Sequence, residues 1–219
     1  MERSNRETIQ RLGGVPVATL EPVGVEPSQL ARAGARLPLG DWLGEARPQP
    51  AGSRVLRGDQ VVLREPRETD VARLVEILAT PEVARWWPSE DAQGVRELLV
   101  EPGTTTWAVV DGEDVIGVVQ AWEEVDPQYR HGGIDIALHP AWHGRGLGTD
   151  TVRTVARHLI EERGHHRVTI DPSATNERAI RCYERVGFRR VGVMRRYERG
   201  ADGRFHDGLL MDLLAGELR

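Results

Sequence analysis

The sequence predicts a mixed α/β sheet of about seven strands with helices on both faces. Two observations carry that reading. Runs of strand periodicity alternate with runs of helical periodicity from residue 54 onward, and the strand GIDIALH passes through the glycine-rich HPAWHGRGLGTD straight into a helical pattern. VVLREP at 61–66 reads as the first strand. TDVARLVEILATPEV follows with Val71, Leu74, Val75 and Leu78 at the i, i+3, i+4, i+7 spacing of a helix, stopped near Pro81. A second helix is expected over 89–99, with Val95, Leu98 and Leu99 facing inward. TTTWAVV and VIGVVQAW flank DGED as a hairpin, and GIDIALH is the next strand. Beyond the glycines, Val152, Val155, Ala156, Leu159 and Ile160 trace one helical face, which Gly164 can end in a left-handed cap. RVTID is a strand and NERAIRCYERVG a helix with Gly187 as its stop; FRRVGVMRRYER and RFHDGLLMDLLA then pair around ADG. The resulting order is β-α-α-β-β-β-α-β-α-β-β.

Residues 1–53 have a different texture. GGVPVATLEPVGVEPSQ and ARPQPAGS lack sustained periodicity, so this segment reads as an arm or linker and residues 54–219 as the folded domain. Hydrophobic residues make up 39% and charged residues 29%, which is ordinary for a globular protein. No apolar run approaches the ~18 residues that cross a bilayer. MERSNRETIQ is too polar for a signal peptide, so a cytoplasmic protein without a membrane partner is expected. The single cysteine, Cys182, leaves no internal disulfide framework. Lys and Arg total 29 against 34 Asp and Glu; the net charge of −5 points away from nucleic acid and suits a small cationic ligand.

A strand, a glycine loop and a helix in succession form a phosphate-binding arrangement. The first helical N–H groups lack intrahelical partners, the helix dipole favours an anion, and glycines let the backbone come close. Gly144, Gly146 and Gly148 are therefore expected to face phosphate, with Arg145 adding charge at the rim. A Walker loop is excluded because the segment has no Lys. The dinucleotide fingerprint comes closer, with Asp171 placed as a ribose-binding acid, but Thr149 stands where its third glycine belongs.

HGRGLG at 143–148 and DPSATNERAIRCYERVGF at 171–188 together resemble the acetyl-CoA-binding core of the GNAT superfamily of N-acetyltransferases. The longer motif is similar to that of aminoglycoside 6'-N-acetyltransferases, and GID at 133–135 matches their central strand. The resemblance implies the GNAT fold, acetyl-CoA as cofactor, and an antibiotic-resistance type of acetyl transfer to an aminosugar amine, in a monomer or homodimer. It implies that His143, Gly144, Arg145, Gly146, Leu147, Gly148 and Thr149 hold the pyrophosphate, although the superfamily usually begins this loop with Gln or Arg. Asn176 is implied to bond the pantetheine arm, and the Tyr183 phenol to protonate the sulfur as the acid. Ala137, Leu138 and His139 are implied to pair with pantetheine where their strand splays from the next, and a backbone N–H there to serve the carbonyl oxygen.

An alkyl amine is protonated at pH 7, so transfer needs a base. Asp135 is the candidate. Ile134, Ile136 and Leu138 alternate on one face of GIDIALH, leaving Asp135 on the other, where a carboxylate belongs only if it lines a wet cleft. For the acceptor, the resemblance points to Trp86 and Trp87, and to Glu123, Glu124, Asp126, Asp135 and Asp171 as acids that hold ammonium groups. Two other readings stay open: the same fold acting on a siderophore hydroxylysine, a polyamine or a protein amino terminus, and a CoA-binding sensor without turnover. His139 and His143 are four apart, but Pro140 and the glycines keep them off a helix, so no metal site is expected.

Overall fold

The computed structural model describes residues 55–200 and 202–219; the arm expected over 1–53 lies outside them. Among the described residues one eight-stranded sheet forms from β1 (Leu56–Arg57), β2 (Val62–Arg64), β3 (Thr104–Asp111), β4 (Asp114–Glu124), β5 (His131–Leu138), β6 (Arg167–Ile170), β7 (Arg189–Arg199) and β8 (Phe205–Leu214). Their spatial order is β1-β2-β3-β4-β5-β6-β8-β7. The β5–β6 pair is parallel and every other neighbouring pair is antiparallel. The mixed sheet is the one expected, with one strand added: Leu56–Arg57 is too short for a period-two signal.

Two layers of helix cover the sheet. On one face lie α1 (Val71–Leu78), α2 (Pro81–Ala84) and α3 (Ala92–Leu99), whose Leu74, Ile77, Val83 and Val95 form one core with Val118 and Ala137. On the other lie α4 (Leu147–Arg157) and α5 (Glu177–Val186), packing Val152, Val155, Ile180 and Val186 against Val119, Ile134 and Leu138. Val118 and Val119 enter opposite cores because strand residues alternate. Pro81 does more than stop the first helix. Its fixed φ suits a first helical position, so it opens α2, which hands on Trp86 and Trp87 through amide bonds to Val83 O at 2.8 and 2.9 Å. Asp91 caps α3 by accepting from the Gln93 and Gly94 amides, and Gly164 and Gly187 take positive φ after their helices as the sequence predicts.

β5 and β6 pair only at Gly132–Val168 and Gly133–Thr169. Past those rungs they diverge, leaving Ile134 to Leu138 with a free edge.

The loop ahead of α4 is braced from behind by Asp150. Its carboxylate, 2% exposed, accepts the amides of Asp59, Gln60 and Val61 at 3.0, 2.7 and 3.0 Å, which ties the β1–β2 turn to the first turn of the helix. Asp150→Ala would leave these amides without their acceptor. It is expected to lower the unfolding free energy by about 2–4 kcal/mol, read from urea denaturation, and a loss below about 0.5 kcal/mol would contradict the bracing role.

Candidate functional site

Two cavities meet at the splay. The first is a groove of about 420 Å³, lined by Leu138, His143, Gly144, Gly146, Gly148, Thr149 and one side of α5. Gly144 and Gly146 have φ of 77° and 87°, left-handed values that favour glycine, and Gly146 is the N-cap of α4. The amides of Leu147, Gly148 and Thr149 precede the helix bond from Asp150 N–H to Gly146 O, and point out of its positive end. Gly148 lies inside α4, where an added Cβ would sit 3.4 Å from Leu138 and 3.6 Å from Cys182. It allows close packing there. Leu147 buries its side chain in the core and offers only its amide, and the Thr149 hydroxyl is engaged with Cys182 Sγ at 3.3 Å. Arg145 is exposed, its guanidinium 5.9 Å from the Trp142 ring.

His143 ties the loop to the sheet. Its Nε2–H donates to Leu138 O at 2.8 Å, because a carbonyl only accepts. Burial and nearby Arg178 hold its pKa below the usual value, so the ring brings no charge at pH 7. The cations come from Arg178, Arg181 and Arg185, which line the groove from α5. Sequence reasoning missed them, although their three- and four-residue spacing on one helix was the available signal.

The second cavity is a cleft of about 950 Å³ that includes Trp86, Trp87, Gln120, Trp122, Asp135, Asp171, Tyr197 and Glu198 in its lining. Ile136, Asn176, Tyr183 and the two tryptophans belong to both cavities. Asn176 caps α5, its Oδ1 accepting from the Ala179 amide at 3.2 Å, which leaves its side-chain NH₂ as a donor. Tyr183 is 7% exposed; burial first, then Cys182, Asp135 and Asp171, pushes its phenol above the ordinary range. Burial, with repulsion from Asp171, Glu101 and Glu198, raises Asp135 to about 6. A carboxylate so placed can take a proton near neutral pH, and a phenol so placed keeps one to give.

The free edge of β5 is not quite where expected. His139 N–H donates to Ile116 O of β4, and alternation along the strand turns Ala137 the same way, leaving the amides of Ile136 and Leu138 to face the gap. His139 spends its Nδ1 on the Ala141 amide and does not line the groove.

Three predicted acceptor acids lie elsewhere. Gln120 opposes Asp135 across β4 and β5, so the period of two puts Glu123 on the opposite face. There it is held by Arg163 Nε at 3.0 Å and by His165. Glu124, the last residue of β4, accepts from the Asp126 amide and Asp126 from the Gln128 amide, and neither lines the cleft. Glu198, which the sequence did not single out, stands where these were expected, its carboxyl pushed up by burial and by Asp171.

The acetyltransferase (GNAT) domain family matches residues 60–189. Aminoglycoside N(6')-acetyltransferase type 1 of Klebsiella pneumoniae is 35% identical over 157 residues, covering 62% of this chain and 77% of the relative. Among solved structures, AAC(6')-Ib in complex with ribostamycin and coenzyme A is 30% identical with a TM-score of 0.59, covering 73% of this chain and 97% of that one. The ribosomal-protein-S5-alanine acetyltransferase of Vibrio fischeri, 16% identical, shares the fold with a TM-score of 0.65 over 76% of this chain and 99% of that one.

A carboxyl whose pKa rises on folding binds its proton more tightly in the native state, so ionising it at high pH destabilises the fold. Asp135→Asn is therefore expected to melt above the wild type at pH 8, with the advantage shrinking as pH falls through about 6 and vanishing below the unfolded value near 3.8. Equal melting temperatures across pH 4–8 would contradict the burial of a repelled carboxylate.

Proposed function

The chain belongs to the acetyltransferase (GNAT) family, and from that premise we propose that it moves acetyl from acetyl-CoA directly onto a primary amine of an aminoglycoside-like aminosugar. The observation that carries this reading is the junction at Ile136, Asn176 and Tyr183, where a groove suited to phosphates opens into an acid-lined cleft beside Asp135. The groove fits coenzyme A by its own chemistry: left-handed Gly144 and Gly146 bare the backbone, the first amides of α4 face an anion, and Arg178, Arg181 and Arg185 supply cations. Bound there, acetyl-CoA supplies a thioester carbonyl already activated toward an amine.

Asp135 accepts the proton that the acceptor ammonium must lose. With its pKa about 6, roughly nine-tenths of it is ionised at pH 7. The amides of Ile136 and Leu138 are free to donate to the carbonyl oxygen. Asn176 holds the pantetheine arm through its side-chain NH₂. As the amine nitrogen bonds the acyl carbon and the carbon–sulfur bond breaks, Tyr183 gives its phenol proton to the sulfur. The second proton that the nitrogen sheds on becoming an amide restores the phenol, while Asp135 passes the first to solvent. Cys182 takes no part as a nucleophile, because burial raises its thiol and Thr149 engages it. The acceptor class draws on Asp135, Asp171 and Glu198, which suit a polycation, and on the Klebsiella relative, which is named for aminoglycosides.

A thiol-release assay over a panel of amines tests the proposal. Kanamycin or tobramycin is expected to release CoA where lysine derivatives, polyamines and peptide amino termini do not. Asp135→Asn and Tyr183→Phe are expected to lower kcat by about 10²-fold with little change in the KM for acetyl-CoA. The acid limb of the wild-type pH profile, at about 6, should disappear in Asp135→Asn. Preference for a non-sugar amine would overturn the acceptor, and tight CoA binding without turnover of any amine would favour a sensor.

A further inference from the structure

Strand residues alternate between the faces of a sheet, yet Tyr197, Glu198 and Arg199 line the cleft in succession. The register of β7 against β8 accounts for this. Met194 pairs with Gly208 and Glu198 with His206, so Arg195, Arg196 and Tyr197 stand opposite Asp207 alone. The extra length is taken up at Arg196, whose φ of 49° is one that residues other than glycine rarely adopt. Asp207 holds the bulge by accepting the Arg196 amide at 2.8 Å. Gly208 makes room for it, since a Cβ there would lie 2.9 Å from Tyr197 Cδ1. Tyr197 and Asp171 line the same cleft, the carboxylate pushes the phenol up to about 12, and Tyr197 is 52% exposed. So exposed a tyrosine adds little to the core, while the bulge, its acidic clasp and the glycine all serve to place it.

We propose that Tyr197 is a specificity-determining residue: turned inward by the 195–197 bulge, it orients the Asp171 carboxylate to hold a second ammonium group of the acceptor, apart from the amine that Asp135 deprotonates. The inference rests on the reading above only in taking an acceptor that carries more than one ammonium group. Asp135, Asp171 and Glu198 share one cleft, and each ammonium that enters relieves their mutual repulsion. A fixed donor on Asp171 determines which of its lone pairs remain for that ammonium. Among acceptors of one class, the cleft then selects those with several ammonium groups over those with one.

The test compares wild type and Tyr197→Phe on matched acceptors: a polyamino aminoglycoside against a mono-amino sugar, and spermidine against butylamine. The phenylalanine keeps the ring and removes the donor. For the polyamine of the productive pair, kcat/KM is expected to fall about tenfold. The monoamine and the KM for acetyl-CoA should stay within about twofold of wild type. Asp207→Ala, which loosens the bulge and leaves Tyr197 intact, should give the same selective loss. Equal losses on both members of a pair, or none, in Tyr197→Phe would overturn the proposal; wild-type selectivity in Asp207→Ala would overturn the part assigned to the bulge. Turnover of the spermidine pair alone would sink the aminosugar reading while still deciding the role of Tyr197, and inactivity toward every amine would overturn both.

Discussion

The site depends on two strands staying paired for two rungs and then parting. Gly132 and Gly133 are where β5 meets β6, and both are pressed from outside. An added Cβ on Gly133 would run into the Trp122 ring, and one on Gly132 would come within 3.0 Å of a Leu159 methyl. Packing from both faces therefore fixes the last paired rungs. Beyond them Leu138, Leu147, Ile180 and Tyr183 share one core, so the sheet loses hydrogen bonds along the divergent edge while side chains fill the space behind it. What remains is a strip of β5 with amides facing open space, at the meeting point of the glycine-lined groove and the acid-lined cleft.

The treatment of acids separates structure from chemistry. Asp150 is satisfied by three backbone amides, Glu123 by Arg163 and His165, and Asp70 by a two-pronged contact with Arg64 at 2.6 and 2.9 Å. In each case burial is offset by donors, as an interior carboxylate requires. Asp135 is handled in the opposite way: its burial and its three named acidic neighbours all raise its pKa. A fold that compensates its other buried carboxylates and leaves this one among acids has kept it weakly acidic. Such local disagreement with the rules of stability is expected where function is seated.

The sequence made most of the fold legible because its signals are local. Helical spacing, the glycine caps at 164 and 187, and the alternation in GIDIALH each act over a few residues. The same alternation placed Asp135 on the wet face. The failures lie where distant contacts decide. Glu123, Glu124 and Asp126 looked like a loop of acids, but β4 runs on through Glu124, and its period of two carries Glu123 to the back of the sheet. Glu198 and Tyr197 gave no signal, since a regular strand would show only one of them to the cleft and the bulge that shows both is set by pairing with β8. The family resemblance groups Ala137 and His139 with Leu138, yet which amides face outward depends on the register with β4.

The departure at His143 illustrates how the two halves of the site are held in step. A long charged side chain at the start of the glycine loop would add attraction for phosphate. A neutral imidazole adds a short, directed bond from the loop to Leu138 O, at the end of the strand whose amides face the gap. Asp150 meanwhile clamps the loop's helix to the β1–β2 turn. Anchored at both ends, the glycine loop cannot shift relative to the Ile136 and Leu138 amides without breaking one of these hydrogen bonds. Charge comes instead from three arginines on α5, the helix that also carries Tyr183. On the proposed reaction, binding energy gathered at the phosphates would pass through these contacts to the reacting atoms, where a displacement of about 1 Å is enough to slow transfer on the order of 10²-fold.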